Sequence, residues 1–147
     1  MKNSFDKGFA FVIGAEGNLT DDPNDPGGLT KYGISHRAYH QKDIRNLTLD
    51  DAKAIYKADY WDKCNCDALF YPLDIIVFDT AVNMGVSVAK RIPIVDLTLQ
   101  DYLLERIRLY TEMKKFSLYG RGWINRVLNL YKTFVNVDYD TPIGSAH

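Results

Sequence analysis

Residues 9–34 have the sequence FAFVIGAEGNLTDDPNDPGGLTKYGI, which passes from an apolar helical pattern into a loop rich in glycine, proline and aspartate. Glu16 closes the helical pattern, and the glycine after it is a typical helix end. A carboxylate in this position resists ionisation, because apolar neighbours and the helix dipole both disfavour its negative charge. The stretch therefore predicts an acid at Glu16 that keeps its proton near neutral pH and can donate it to a leaving oxygen.

Three further candidate residues lie in the loop after Glu16. Glycosidic cleavage needs an acid and a second carboxylate, which activates water or stabilises an oxocarbenium-like transition state. Asp25 fits the second role, since a polar loop with many backbone amides favours its ionised form. Asp22 competes with it, because each of the two is followed by proline. Thr30 is predicted to hold a water or to hydrogen-bond the second carboxylate, and together these residues indicate the active site of a glycoside hydrolase.

Metal binding is a weaker interpretation of the same residues. The acidic loop lacks the regular ligand alternation and terminal glutamate of an EF-hand, so it can equally be a simple turn. Cys64 and Cys66 offer too few ligands for zinc and are too close in sequence for an easy disulfide. We expect two reduced, partly buried thiols, and no metal or cofactor.

Composition places few limits on function. The chain has 147 residues, 46% of them hydrophobic and 25% charged, with a net charge of −1. These values indicate a soluble globular protein and provide no case for binding nucleic acid. We expect one catalytic domain over residues 1–135, a flexible polar tail over 136–147, and a monomer. Residues 9–15 are too short to span a membrane, and the N-terminus has no cleavable signal pattern.

The hydrophobic pattern predicts a mainly α protein with a small β-hairpin in the acidic loop. Thr48 to Asp51 has the form of a capping box, and the helix ending at Gly85 is apolar nearly all round, as a central core helix would be. Gly120 and Gly122 are expected to separate the last two helices. The predicted helices cover residues 5–15, 35–41, a segment starting at 48, and residues 72–84, 86–92, 99–116 and 123–134.

Several segments together resemble the family 108 glycoside hydrolases. They are EG at 16–17, DPNDPGGLTKYGI at 22–34, YWDKCNCDAL at 60–69, FDTAVNMG at 78–85 and GWINRV at 122–127. These enzymes are lysozyme-like N-acetylmuramidases of phage endolysins and bacterial cell-wall lysis or secretion-activator proteins. The resemblance implies a single-domain, mainly α, lysozyme-like fold. Where the family usually has Glu-Gly-Gly-Tyr, this chain has Glu-Gly-Asn-Leu at 16–19.

The resemblance also implies an activity and a site. The enzyme would cleave the β-1,4 bond between N-acetylmuramic acid and N-acetylglucosamine, with Glu16 as the catalytic acid. The order of Glu16, Asp25 and Thr30 is similar to that of the phage lysozyme triad. Substrate-binding residues are then expected along the cleft. They are Asp22, Tyr32, Asp79 and Asn83.

An endolysin without a signal would be made in the cytoplasm of the bacterial host and act on peptidoglycan glycan strands in the periplasm. A holin partner for release would fit such a protein, and no stable membrane insertion is expected. Two alternatives remain open. One is a chitin-cleaving hydrolase with similar carboxylates, and the other is a non-catalytic wall-binding or virion structural protein that keeps the fold.

Overall fold

The structure, a computed structural model, describes residues 4–16, 19–21 and 28–135. The described chain is mainly helical with a small antiparallel sheet, as predicted. Its contacts divide it into two compact units, Met1–Ala89 and Lys90–His147. The expected single domain over 1–135 stays a prediction, and the expected flexible tail over 136–147 lies outside the described residues.

The elements follow one another in a simple order. The first unit and its border contain α1 (Ser4–Glu16), β1 (Thr30–Lys31), β2 (Ile34–Ser35), α2 (Leu49–Tyr56), a π-helical turn (Lys57–Trp61), a 3₁₀ turn (Cys66–Ala68), α3 (Leu73–Met84) and α4 (Val86–Arg91). The second unit contains α5 (Leu99–Thr111), α6 (Phe116–Leu130) and a π-helical turn (Tyr131–Val135). None of the described helices has the length and apolar character needed to cross a membrane.

The core of the first unit forms where α1 packs against α3. The helices approach closely at Gly8, where an added Cβ would lie 3.1 Å from Cδ1 of Phe78. Phe78 and Val12 are fully buried, and aromatic rings surround Phe78 with centroid separations of 5.5–6.4 Å. We call this group the aromatic cluster: Phe5, Phe9, Tyr56, Trp61 and Phe78. It holds α1, and therefore the backbone of Glu16, against the rest of the unit.

Two predicted helix ends are confirmed by their local geometry. The Thr48 amide donates to Asp51 Oδ2 at 3.0 Å, and the Asp51 amide donates to Thr48 Oγ1 at 3.1 Å. This reciprocal capping box starts α2. At the other end of the unit, Gly85 terminates α3 with a φ of 104°, a conformation that favours glycine.

The second unit is built around α5 and α6. Trp123 of α6 stacks on Tyr110 of α5 with ring centroids 5.1 Å apart. Arg106 is fully buried, and its Nε donates to the Tyr110 hydroxyl at 2.9 Å. The unit therefore has its own apolar and aromatic core.

The predicted break at Gly120 and Gly122 is wrong, because both glycines lie inside α6. An added Cβ at Gly120 would lie 2.5 Å from Cε2 of Phe116. Glycine is needed there to leave room for the phenylalanine ring, and the helix continues through it. The helix predicted over 99–116 ends earlier, at Thr111.

The helix predicted over 35–41 is also wrong, since Ser35 belongs to β2 and the residues after it form turns. The start signal itself is present: Ser35 Oγ accepts from the Ala38 amide at 3.2 Å, and the Ser35 carbonyl accepts from Tyr39 at 3.0 Å. The segment has little apolar surface to bury after this single turn, so nothing stabilises further turns.

Candidate active site

The hairpin of β1 and β2 follows the acidic loop and contains a tight two-residue turn. Tyr32 and Gly33 form the turn with φ angles of 53° and 76°. Two consecutive positive φ angles are the type I′ geometry that matches the twist of a hairpin. Glycine adopts this conformation without cost, whereas tyrosine adopts it rarely. Such strained residues concentrate at functional sites, so the turn indicates a candidate site at this end of the unit.

Backbone hydrogen bonds bring the two ends of the acidic segment together. The Thr20 amide donates to the Thr30 carbonyl at 2.7 Å, and the Thr30 amide donates back to the Thr20 carbonyl at 2.9 Å. Asp22 and Asp25 belong to the segment that this bridge closes, but they lie outside the described residues. The structure therefore fixes the base of the loop, and their roles stay predictions.

The Thr30 side chain occupies the base of this loop. It is half-buried, and its Oγ1 donates to the Gly28 carbonyl at 3.2 Å. A hydroxyl has one hydrogen to donate and lone pairs to accept with. In this arrangement Thr30 is suited to accept a hydrogen bond from a water, and donating to a carboxylate would require the Gly28 contact to break.

Glu16 is the last residue of α1, as predicted from the sequence. The C-terminus of a helix carries partial negative charge, which disfavours ionisation of a carboxyl group placed there. The helix is anchored by Phe9 and Val12, which are 7% and 0% exposed. The orientation of the Glu16 side chain lies outside what the structure describes, so its role as the acid stays a prediction.

One hydrogen bond joins the hairpin to the helical core. The Tyr56 hydroxyl donates to the Tyr32 carbonyl at 2.7 Å, and the Tyr56 ring lies 5.8 Å from that of Phe9. Tyr56 is 1% exposed. It therefore holds the strained turn and the helix of Glu16 in one arrangement. Tyr56 is not among the site residues predicted from the sequence; the signal that points to it is that a buried phenol needs a hydrogen-bond partner.

The remaining predicted binding residues differ in accessibility. Tyr32 is half-buried, with Lys31 Nζ 5.5 Å from its ring centroid, and Asn83 is half-buried near the end of α3. Asp79 is 0% exposed. Its side chain is not available to a bound ligand in this arrangement, which is the opposite of what a cleft-lining residue requires. The binding roles of Tyr32 and Asn83 stay predictions, and the burial of Asp79 does not support a direct contact.

Neither of the two cysteines forms a disulfide, and Cys66 is buried whereas Cys64 is half-buried. Within the described residues, no group of three histidine, cysteine, aspartate or glutamate side chains is placed to hold a metal ion.

Comparison with known families decides the general class. The family model described as Glycosyl hydrolase 108 matches residues 9–85, more than half of the chain. The chain belongs to this family. The matched region contains Glu16, the acidic loop and Thr30, together with α2 and α3. The protein is therefore a glycosidase by family.

A solved structure gives the same result for the fold. SagA from Brucella abortus superposes with a TM-score of 0.73 and is 26% identical in sequence. The similarity covers 88% of this chain and 92% of that chain. The sequence matches no curated protein.

Proposed function

We propose that this glycoside hydrolase is an N-acetylmuramidase that cleaves the β-1,4 bond between N-acetylmuramic acid and N-acetylglucosamine in peptidoglycan. The observation that carries the proposal is the family match over residues 9–85, since it includes the helix-terminal glutamate and the loop after it. SagA supports the same fold over nearly the whole chain.

Glu16 is the proposed general acid. The negative end of α1 disfavours its ionised form, so the carboxyl group keeps a proton to give to the bridging oxygen. The aromatic cluster fixes the helix on which it lies, through Phe9 and the α1–α3 contact at Gly8. A fixed acid is an advantage because proton transfer depends on short distances to the leaving oxygen.

Asp25 is the proposed second carboxylate, with Asp22 as its rival. It would activate a water or stabilise the positive charge on the sugar. Thr30 supports the first of these roles, because its oxygen is free to accept from a water while its hydrogen is donated to Gly28. Tyr56 maintains this geometry by holding the hairpin turn at Tyr32.

The proposed setting is a phage endolysin. It would be made in the host cytoplasm, released by a holin and active on glycan strands in the periplasm as a monomer.

The direct test is Glu16→Gln, assayed on purified sacculi. Glutamine keeps the shape of glutamate and loses the transferable proton, so we expect a loss of about a hundred- to ten-thousandfold in rate. Glu112→Gln is the matched control, because Glu112 is exposed and lies in the second unit. Equal rates for wild type and Glu16→Gln would show that Glu16 is not the acid.

Product analysis tests the bond. Mass spectrometry of the released muropeptides should show N-acetylmuramic acid at the new reducing end. N-acetylglucosamine at that end, or faster cleavage of soluble chitin oligomers than of sacculi, would contradict the proposal. Comparing Asp25→Asn with Asp22→Asn identifies the second carboxylate, since only the variant that removes it should lose most of the rate.

A further inference from the structure

A cavity lies in the first unit, on the surface formed by α2 and the turn that follows it. Its volume is about 530 Å³, which is within the range of small-ligand sites. One wall is formed by residues of the segment 39–47 and the other by residues of the helical stretch 51–59. We call this cavity the α2 groove.

The helical wall of the groove has acidic ends and an apolar middle. Asp51, Ile55 and Asp59 are spaced four residues apart, so they share one face of the helix. At a rise of 1.5 Å per residue, the two carboxylates mark a stripe about 12 Å long. Ala54 and Ala58 complete the wall between them and leave room for a ligand.

The opposite wall places one hydrogen-bond donor near each acidic end. The Tyr39 hydroxyl donates to Asp59 Oδ2 at 2.6 Å. Hydrogen bonds from Thr48 are the main cause of the lowered pKa of the Asp51 carboxyl. The positive charge of nearby Lys42 also contributes to lowering it. One end of the groove therefore combines a cation with an anion, and the other end presents a carboxylate oriented by a phenol.

The charge balance of the groove limits the chemistry of its ligand. Asp43 adds a third carboxylate to those of Asp51 and Asp59, against one ammonium from Lys42. Burial and the neighbouring Asp59 raise the pKa of the Tyr39 hydroxyl, so it remains a neutral donor. A complementary ligand is extended, carries an ammonium group at one end and a carboxylate at the other, and has methylene groups between them.

We propose that the α2 groove binds the diamino acid of the peptidoglycan stem peptide. This inference rests on the proposed function, because it takes peptidoglycan as the substrate. The side-chain ammonium of the diamino acid pairs with Asp59, its methylene groups lie against Ile55, and its α-carboxylate, at the other end of the methylene chain, pairs with Lys42. The contact would let the enzyme engage the peptide as well as the sugar chain.

The groove is connected to the base of the acidic loop by direct contacts. Arg45, from the segment that forms one wall, pairs with Asp21 through an N–O distance of 2.7 Å. Its carbonyl accepts from Lys31 Nζ of the hairpin at 3.0 Å. A ligand that orders the segment 39–47 therefore acts on the same structure that carries Thr30.

The test is calorimetric titration of the intact protein with the tripeptide L-alanyl-γ-D-glutamyl-meso-diaminopimelate. The dipeptide that lacks diaminopimelate serves as the comparison ligand. We expect the tripeptide to bind and the dipeptide not to bind. Absence of tripeptide binding at millimolar concentration, or equal binding of the two peptides, would overturn the proposal.

Two variants locate the binding to the groove. Asp59→Asn should weaken tripeptide binding about tenfold, since a charge-assisted hydrogen bond is lost. Asp50→Asn removes the same charge from an exposed position of the same helix, outside the groove, and should change binding by less than about twofold. Equal affinities for Asp59→Asn and wild type would contradict the assignment.

Lys42→Gln provides an independent check that does not depend on Asp59. Wild type should bind the tripeptide more tightly than the analogue in which the α-carboxyl group of diaminopimelate is amidated. Lys42→Gln should lose that difference in affinity. Lys63→Gln, an exposed lysine elsewhere in the unit, should retain it. A preference that survives in Lys42→Gln would exclude the proposed carboxylate contact.

A second assay separates this proposal from the proposed function: wild-type protein is tested for hydrolysis of glycan strands from which the peptides have been removed. Cleavage without tripeptide binding would reject the groove assignment alone. Tripeptide binding without cleavage of any glycan would reject the muramidase and leave peptide recognition.

Discussion

The aromatic cluster and the hairpin lie in the same unit, but they are held in place by different kinds of interaction. The cluster packs together five large rings from α1, α2, the π-helical turn after α2, and α3, and its stability comes from apolar surface removed from water. The hairpin has two-residue strands and a turn with two positive φ angles. Its position depends on a few hydrogen bonds, notably those from Tyr56 and between Thr20 and Thr30.

This difference matters for the proposed active site because each region carries one part of it. Glu16 ends a helix that the cluster holds, whereas Thr30 lies on the hairpin. Loss of a core ring should reduce global stability, and loss of one hydrogen bond should mainly affect the hairpin. The following changes test that division.

The largest effect is expected for Phe78→Ala. Phe78 is fully buried at the centre of the aromatic cluster, so its truncation removes apolar contacts and leaves a cavity. We expect the free energy of unfolding to fall by about 3–5 kcal/mol, measured by urea denaturation. Phe70→Ala is the control, since Phe70 is 63% exposed and should cost far less. Similar losses for the two would show that the cluster is not the core of the unit.

Tyr56→Phe should lower the free energy of unfolding by less than Phe78→Ala does, and its effect should be confined to the hairpin. The ring stays in the cluster, and the hydrogen bond to the Tyr32 carbonyl is lost. We expect a loss of about 1 kcal/mol in unfolding free energy. Hydrogen exchange should increase at the hairpin amides and remain unchanged in α3. Uniform loss of protection across the unit would mean that the hairpin is not held separately.

Tyr32→Asn tests the strained turn. Asparagine tolerates a positive φ better than tyrosine, so we expect a gain of up to about 1 kcal/mol in unfolding free energy. If Tyr32 binds glycan, the same variant should raise KM on sacculi. Tyr119→Asn, at an exposed helical position, should show no gain. A loss of stability in Tyr32→Asn would show that the tyrosine ring contributes more than the turn geometry costs.

The smallest effect is expected for Arg45→Gln, which removes the ion pair with Asp21. Both side chains are largely exposed, at 60% and 57%. An exposed pair contributes little, so we expect a change below about 0.5 kcal/mol in unfolding free energy and still less at high salt. Arg121→Gln provides a matched surface change in α6. A loss above 1 kcal/mol would mean that the base of the acidic loop depends on this pair.

Local signals in the sequence predicted much of the helical structure correctly. Thr48 and Asp51 form a capping box from neighbouring residues alone, and Gly85 ends α3 in a conformation that glycine favours. The apolar run before Gly85 indicated a central helix, which α3 is. Such features depend on residues within one or two turns, so spacing is enough to recognise them.

Predictions failed where a distant or unexpected partner decides the outcome. Spacing predicts a helix break at Gly120, but in the structure this glycine makes room for the Phe116 ring one turn earlier in the same helix. Ser35 starts a turn that does not become a helix, because too little apolar surface follows it. For the candidate site, the position of Glu16 at a helix end was predictable from the sequence. The hydrogen bond between Tyr56 and Tyr32 was not, because no sequence spacing or motif links the two residues.

The sequence by itself determined the mainly helical class, the helix-terminal position of Glu16 and the motifs that indicate the glycoside hydrolase family. These are properties of local spacing and residue type. Only the tertiary structure decided that Asp79 is buried, that Thr30 donates to Gly28 and that segment 39–47 forms a groove with α2. The burial of a side chain and the partner of a hydrogen bond depend on which segments, distant in sequence, pack together. Local spacing in the sequence does not specify that packing.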